Sequence, residues 1–292
     1  MNKYFSFVKI EHTLFSLPMI YSGMALGYFA LSNAHQPVPS TFELIKLGVL
    51  VLVAATGART TGFAMNRIVD RHIDAKNPRT ATRDLPSGRM TLSQGYSVLA
   101  AGIVIYLIAA SQINSLCFAL SPIPLLVFGL YPFLKRFTVL AHFGVGLSLA
   151  LGSLGGYFAV NPMVDMRILP AACLFLFTWC WVAGFDIIYA TADEEFDKKE
   201  GLFSFPARFG KKRALRYSGF IHVLAFLLLA GVYLSAFAGS IVVAILLIAA
   251  GYLLYLEQAK AEDVELAFFK INALLGFVVF SFVLTGVELA LP

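Results

Sequence analysis

Two acidic patterns are the part of this sequence best suited to chemistry. The first reads Asn66-x-x-x-Asp70-x-x-x-Asp74 and the second Tyr189-x-x-x-Asp193-x-x-x-Asp197. Residues four apart on a helix lie on one face, so each set makes a stripe of oxygen ligands. The interval from Asp70 to Asp193 is 123 residues, and Asp74 to Asp197 repeats it. A proline turn follows each stripe, at Leu85-Pro86-Ser87-Gly88 and at Phe205-Pro206-Ala207. We read these as a weak internal repeat relating 42–110 to 167–236 within a single domain, 1–292.

Magnesium takes hard oxygen ligands and commonly combines one or two carboxylates with substrate phosphates. Two facing stripes could hold two or more such ions, neutralising charge that grows on a departing diphosphate. The loops beside the stripes carry Arg79, Arg83, Lys135, Arg136, Lys198 and Arg208, suited to the outer phosphate oxygens. Snorkelling at a membrane interface explains one aspartate well, but explains poorly two matched stripes flanked by bases. Glu194, Glu195 and Glu200 fall off the second stripe and read as solvated.

What positions these residues is a set of long apolar segments. The chain has 292 residues, 59% hydrophobic and only 13% charged. Apolar spans fall near 13–31, 42–65, 92–110, 115–131, 138–159, 167–188, 214–236, 238–256 and 268–290. Lipid offers the backbone no hydrogen bonds, so such spans must be helices. The expected fold is all-α: a polytopic membrane protein of about nine transmembrane helices around a central cavity. That greasy interior, with the acid stripes and basic rim, fits an allylic prenyl diphosphate.

Basic residues set the expected topology. Lys3 and Lys9 precede the first span, Arg67 to Arg89 follow the second, Lys135 and Arg136 the fourth, and Lys198 to Arg213 the sixth. The alternate loops are nearly bare, so the positive-inside rule puts the N-terminus and the site on the cytoplasmic side. An odd helix count then leaves the C-terminus outside, in what we expect to be a bacterial inner membrane. Ser32-Asn33-Ala34 loosely imitates a signal cleavage site, but the preceding apolar run is long and reads as a retained helix.

Arg59 lies inside the second span, seven residues before Asn66, and either binds an acceptor carboxylate or makes a structural ion pair. Lys9, Glu11 and His12 could reach an acceptor or anchor the interface. His35, His72, His142 and His222 form no ligand pair and read as structural or surface residues. Cys117, Cys173 and Cys180 sit in apolar runs without a CxxC, as small core residues do. Gly23/Gly27 and Ser148/Gly152/Gly156 mark close helix packing, and Pro122 and Pro124 a kink. The net charge of +5 is accounted for by cytoplasmic loops, so no nucleic acid or protein partner is expected.

The sequence resembles the UbiA superfamily of intramembrane aromatic prenyltransferases. Arg59-x-x-Gly62-x-x-x-Asn66-x-x-x-Asp70-x-x-x-Asp74 is similar to that family's first motif, and Tyr189-Ala190-x-x-Asp193-x-x-x-Asp197 to its second. Tyr131-Pro-Phe-Leu-Lys135-Arg136-Phe-Thr138 resembles the basic loop of its 4-hydroxybenzoate branch, while Arg67 stands where many members have Asp. The resemblance implies Mg²⁺ held by Asn66, Asp70, Asp193 and Asp197, with Asp74 in support. It also implies an aromatic acid as acceptor, in quinone biosynthesis, near Arg59 and Tyr189. Asp186, one turn deeper than Tyr189, would orient its hydroxyl or take the ring proton. The expected acceptor is 4-hydroxybenzoate, with 1,4-dihydroxy-6-naphthoate as the alternative, since both are hydroxylated aromatic acids. A cation-coupled transporter is the alternative of another class.

Overall fold

The computed structural model describes Phe7, residues 13–264 and residues 266–291; Lys3, Lys9, Glu11 and His12 lie outside them. No strand occurs among the described residues. The helices are α1 (Thr13–Asn33), α2 (Thr41–Lys76), α3 (Leu92–Ile113), α4 (Ser115–Leu120), α5 (Pro122–Leu134), α6 (Ala141–Val160), α7 (Leu169–Ala190), α8 (Glu194–Glu200), α9 (Phe205–Phe209), α10 (Lys211–Val232), α11 (Ile241–Ala259) and α12 (Asn272–Ala290). Eight described segments are long and apolar enough to cross a membrane, with α4 and α5 counted as one. With the 21-residue α1 packed among them, this approximates the nine expected spans.

Local chemistry explains where the elements start and stop. Ser40 caps α2 by accepting the Glu43 N–H, and Glu43 returns the bond to the Ser40 N–H at 2.8 Å. Thr91 and Gln94 repeat this box at α3. At 36 residues, α2 extends about 54 Å, at ~1.5 Å per residue. That exceeds a hydrocarbon core of about 30 Å, so its last turns, with Asp70 and Asp74, stand at or beyond the interface. The chain breaks between α4 and α5 at Ser121, before Pro122, as the paired prolines suggest. Gly201, at φ 67°, closes α8 in the left-handed region where a side chain would be strained.

The bundle has a solid half and a hollow half. Helices α1, α6, α7, α10, α11 and α12 enclose the main core, built on side chains such as Leu174, Phe177, Trp181 and Phe282. Facing it, α1 to α6 surround an apolar cavity of about 510 Å³. The wall between the halves is the α1/α6 contact. A Cβ on Gly23 would lie 1.9 Å from the Ser153 carbonyl oxygen, and one on Gly156 would lie 2.0 Å from that of Ile20. Backbones this close need glycine on both sides, as the small-residue spacing implies.

Gly156→Ala is therefore expected to destabilise the protein by at least the ~1–3 kcal/mol usual for overpacking, since only backbone stands in the way. Gly48→Ala, whose Cβ would meet nothing within 4 Å, serves as control. Thermal unfolding in detergent reads the difference, and equal midpoints would contradict the packing argument.

Candidate active site

Both acidic helix ends lie at one end of the bundle and are joined directly. Asn77, just past α2, donates to Asp193 Oδ1 at 2.9 Å, and Lys76 pairs with Glu200 at 2.6 Å. Arg79 forks onto both oxygens of Asp193, bonds the Tyr189 hydroxyl and lies 4.7 Å above the Tyr189 ring. Burial works against the Arg79 charge, but its bonds to Asp193 and Tyr189 prevail and hold its pKa above the usual arginine value.

The first stripe is compensated in the same way. Asp70 is 1% exposed. It accepts from Lys135 Nζ at 2.6 Å and Asn66 Nδ2 at 3.1 Å, with Arg136 at 3.3 Å. Asp74, also buried, takes Arg83 Nη1 on both oxygens at 2.7 and 2.8 Å, and Arg67 stands 3.9 Å away. On the second stripe the helix tightens into a 3₁₀ turn, Thr191–Asp193, so Tyr189 and Asp197 are not on one uninterrupted α-helical face. Asp197 hydrogen-bonds Ser204, the residue capping α9.

Among the described residues, no three His, Cys, Asp or Glu gather into a metal-binding group. The acids expected to bind metal alternate with bases instead. The donor set still suits Mg²⁺ chemically, because every expected ligand offers a hard oxygen.

A polar cavity of about 450 Å³ opens at this end, with Asn66, Arg67, Arg79, Arg83, Asp186 and Tyr189 in its wall. Phe63 and Tyr131 line both this mouth and the apolar chamber, so the two spaces meet there. Arg59 belongs to the chamber wall, its guanidinium 4.8 Å from the Phe63 ring centroid. Of the bases expected to bind phosphate, only Arg79 and Arg83 line the mouth. Lys135 and Arg136 lie behind it on Asp70. Lys198 and Arg208 are exposed, Lys198 being tied to Glu194 one turn back.

Several participants carry no signal that sequence reasoning used. His142 binds Asp186 Oδ2 through Nδ1 at 2.7 Å, although its spacing suggests no ligand role. Asn77 joins the two stripes but reads locally as a helix stop before Pro78. Asp84, in the mouth wall, pairs with Arg89 at 3.1 Å. Glu194 and Glu200, read as solvated, hold Lys198 and Lys76.

Fold and site together define an integral membrane protein in which a charged mouth opens onto an apolar chamber, the arrangement suited to a lipid with an anionic head. The sequence matches the UbiA prenyltransferase family over residues 17–282. It is 28% identical over 275 residues, 87% of this chain and 95% of the other, to a 4-hydroxybenzoate octaprenyltransferase of Francisella tularensis subsp. novicida. The apo structure of a UbiA homolog from Aeropyrum pernix K1 superposes with TM-score 0.82 at 31% identity, covering 94% of this chain and 98% of that one. A UbiA homolog from Archaeoglobus fulgidus, bound to GPP and Mg²⁺, shares the fold with TM-score 0.72 at 21% identity, covering 97% of this chain and 99% of that one. This chain belongs to the UbiA prenyltransferase family, and it is an enzyme of that class.

The placement of the bases ranks them. Arg79→Ala and Lys135→Ala, which leave Asp193 and Asp70 without their main counter-charges, are expected to lower kcat/KM at least tenfold more than Lys198→Ala or Arg208→Ala. Steady-state turnover of the four variants checks this, and equal losses would contradict it.

Proposed function

We propose that this chain transfers a polyprenyl group from its diphosphate to a hydroxylated aromatic acid, with 4-hydroxybenzoate as the acceptor. One observation carries the reading: a mouth lined by Arg67, Arg79, Arg83, Asp84 and Asp186 joins an apolar chamber at two aromatic side chains, Phe63 and Tyr131. A diphosphate head suits the mouth and an isoprenoid tail the chamber, so the allylic carbon between them falls near the joint. The Francisella relative's name supports the acceptor.

Asn66, Asp70, Asp74, Asp193 and Asp197 are the residues assigned to Mg²⁺, which supplies charge neutralisation for the leaving diphosphate. Arg79, Arg83, Lys135 and Arg136 are assigned to the diphosphate oxygens, with Lys198 and Arg208 as an outer rim. With substrate and cation bound, each base would leave its aspartate for a phosphate oxygen, and the aspartate would be free to hold the cation. No charge is abandoned in this exchange, and an uncompensated buried carboxylate would be expensive.

The allylic C–O bond breaks with its electron pair going to the diphosphate. A ring carbon of the acceptor supplies the pair for the new C–C bond, and the ring hydrogen leaves as a proton. Phe63 and Tyr131, the aromatic side chains at the joint, are assigned to the passing positive charge. Arg59 and Tyr189 are assigned to the acceptor, and Asp186 to its hydroxyl and the departing proton. The site faces the cytoplasm on this reading, where the diphosphate and the proton can leave into water while the prenylated acid stays with the lipid.

Purified protein given Mg²⁺, a polyprenyl diphosphate and 4-hydroxybenzoate is expected to release prenylated acid and diphosphate. Asp70→Ala and Asp193→Ala should each abolish turnover, as should a chelator, reversibly. A panel including 1,4-dihydroxy-6-naphthoate tests the acceptor: preference for the naphthoate would move the enzyme to another quinone route, and no turnover on any aromatic acid would overturn the proposal.

A further inference from the structure

Three consecutive residues after α8 bond three separate parts of the site. The Phe203 N–H donates to the Lys135 carbonyl at 2.7 Å, and Lys135 is itself paired with Asp70. Ser204 hydrogen-bonds the Asp197 side chain. The Phe205 N–H is directed at His142 Nε2, 3.3 Å away, and His142 Nδ1 lies 2.7 Å from Asp186 Oδ2.

The protonation of His142 follows from its two neighbours. A backbone N–H can only donate, so Nε2 accepts and the proton of a neutral ring sits on Nδ1. Nδ1–H then donates to Asp186, which accepts as a carboxylate. A doubly protonated ring would set Nε2–H against the Phe205 N–H, donor facing donor. The His142 side chain is 6% exposed, whereas that of Asp186 is 22% exposed and lines the mouth. Substrate therefore meets Asp186, and His142 acts only through it.

Resting on the aromatic-acceptor reading above, we propose that His142 is a positioning residue that holds Asp186 for the acceptor hydroxyl, with Phe203–Phe205 tying that setting to the diphosphate end. His142 commits Oδ2 and fixes the rotamer, so an acceptor hydroxyl entering the mouth meets Oδ1. Without that bond the carboxylate is free to turn among staggered rotamers, and the acceptor loses a fixed partner. The strap from Phe203 to Phe205 ties the arrangement to Asp197 and Lys135, the residues assigned above to the cation and the diphosphate.

Two isosteres separate this role from packing. In His142→Asn the amide nitrogen can stand where Nδ1 stands and still donate to Asp186. In His142→Gln the amide stands where Nε2 stands and serves Phe205 instead. Steady-state kinetics on the purified protein, with Mg²⁺, a polyprenyl diphosphate and 4-hydroxybenzoate, should show His142→Gln losing roughly 10- to 100-fold in kcat/KM for the acceptor, part of what a well-placed acid–base group contributes. The KM for the diphosphate substrate should not move, and His142→Asn should recover most of the loss. Equal activity of the two variants, or a loss confined to the diphosphate KM, overturns the positioning role alone. A wild-type protein inert on every aromatic acid overturns the acceptor reading and this inference with it.

Discussion

The arrangement of the site depends on one constraint: carboxylates removed from water at the membrane face must be compensated. Asp70 has 1% of its surface exposed, and a bare ion there would be expensive. Its compensation comes from Lys135 and Arg136, on the segment after α5. That requirement ties the α5–α6 connection to the end of α2, with Arg136 also donating to the Val69 carbonyl at 3.0 Å. The connection after α2 answers the same demand at Asp74 and Asp193 through Arg83 and Arg79. Loops that could have been loose are thereby folded over the mouth.

The second constraint is division of labour inside the bundle. A cavity large enough for an isoprenoid chain removes packing from the helices around it, so stability has to come from elsewhere. The tight α1/α6 contact and the aromatic core beyond it supply that, leaving α2 to α5 to form the rest of the chamber wall. The buried set Trp181, His222, Glu257 and Asn272 lies on the solid side, where Asn272 donates to Glu257 at 2.9 Å and accepts from Trp181 at 2.6 Å. These polar contacts link α7, α11 and α12 at depth and bind the rigid half together.

Much of this could be read from residue order, for reasons that differ by element. The spans announced themselves because lipid leaves helices as the only option. The first acid stripe was equally plain, because Asn66, Asp70 and Asp74 lie on one continuous helix. The second was less so: the 3₁₀ turn at Thr191–Asp193 has no Pro or Gly to mark it. Which half would be hollow was hidden, since the spans on both sides are similarly apolar. His142 was hidden for another reason. Its partners, Asp186 and Phe205, are 44 and 63 positions away, and only the fold brings them together. Lys198 and Arg208 show the converse, for sequence proximity to the acids did not put them in the mouth wall.

The chamber also bears on the choice between an enzyme and a cation-coupled transporter. An ion crossing a bilayer needs polar groups along its path, because each unsatisfied step in hydrocarbon is costly. Here the acids are concentrated at one end, and Arg59 is the sole charged residue in the chamber's described lining. A positive charge at that point repels a cation and attracts an anionic group. Beyond it the described lining carries no further charge as far as Val164, in the connection at the other end of α6. Such a path admits a hydrocarbon chain and resists an ion, which favours the proposed substrate, whose charged head would stay at the mouth while its tail goes in.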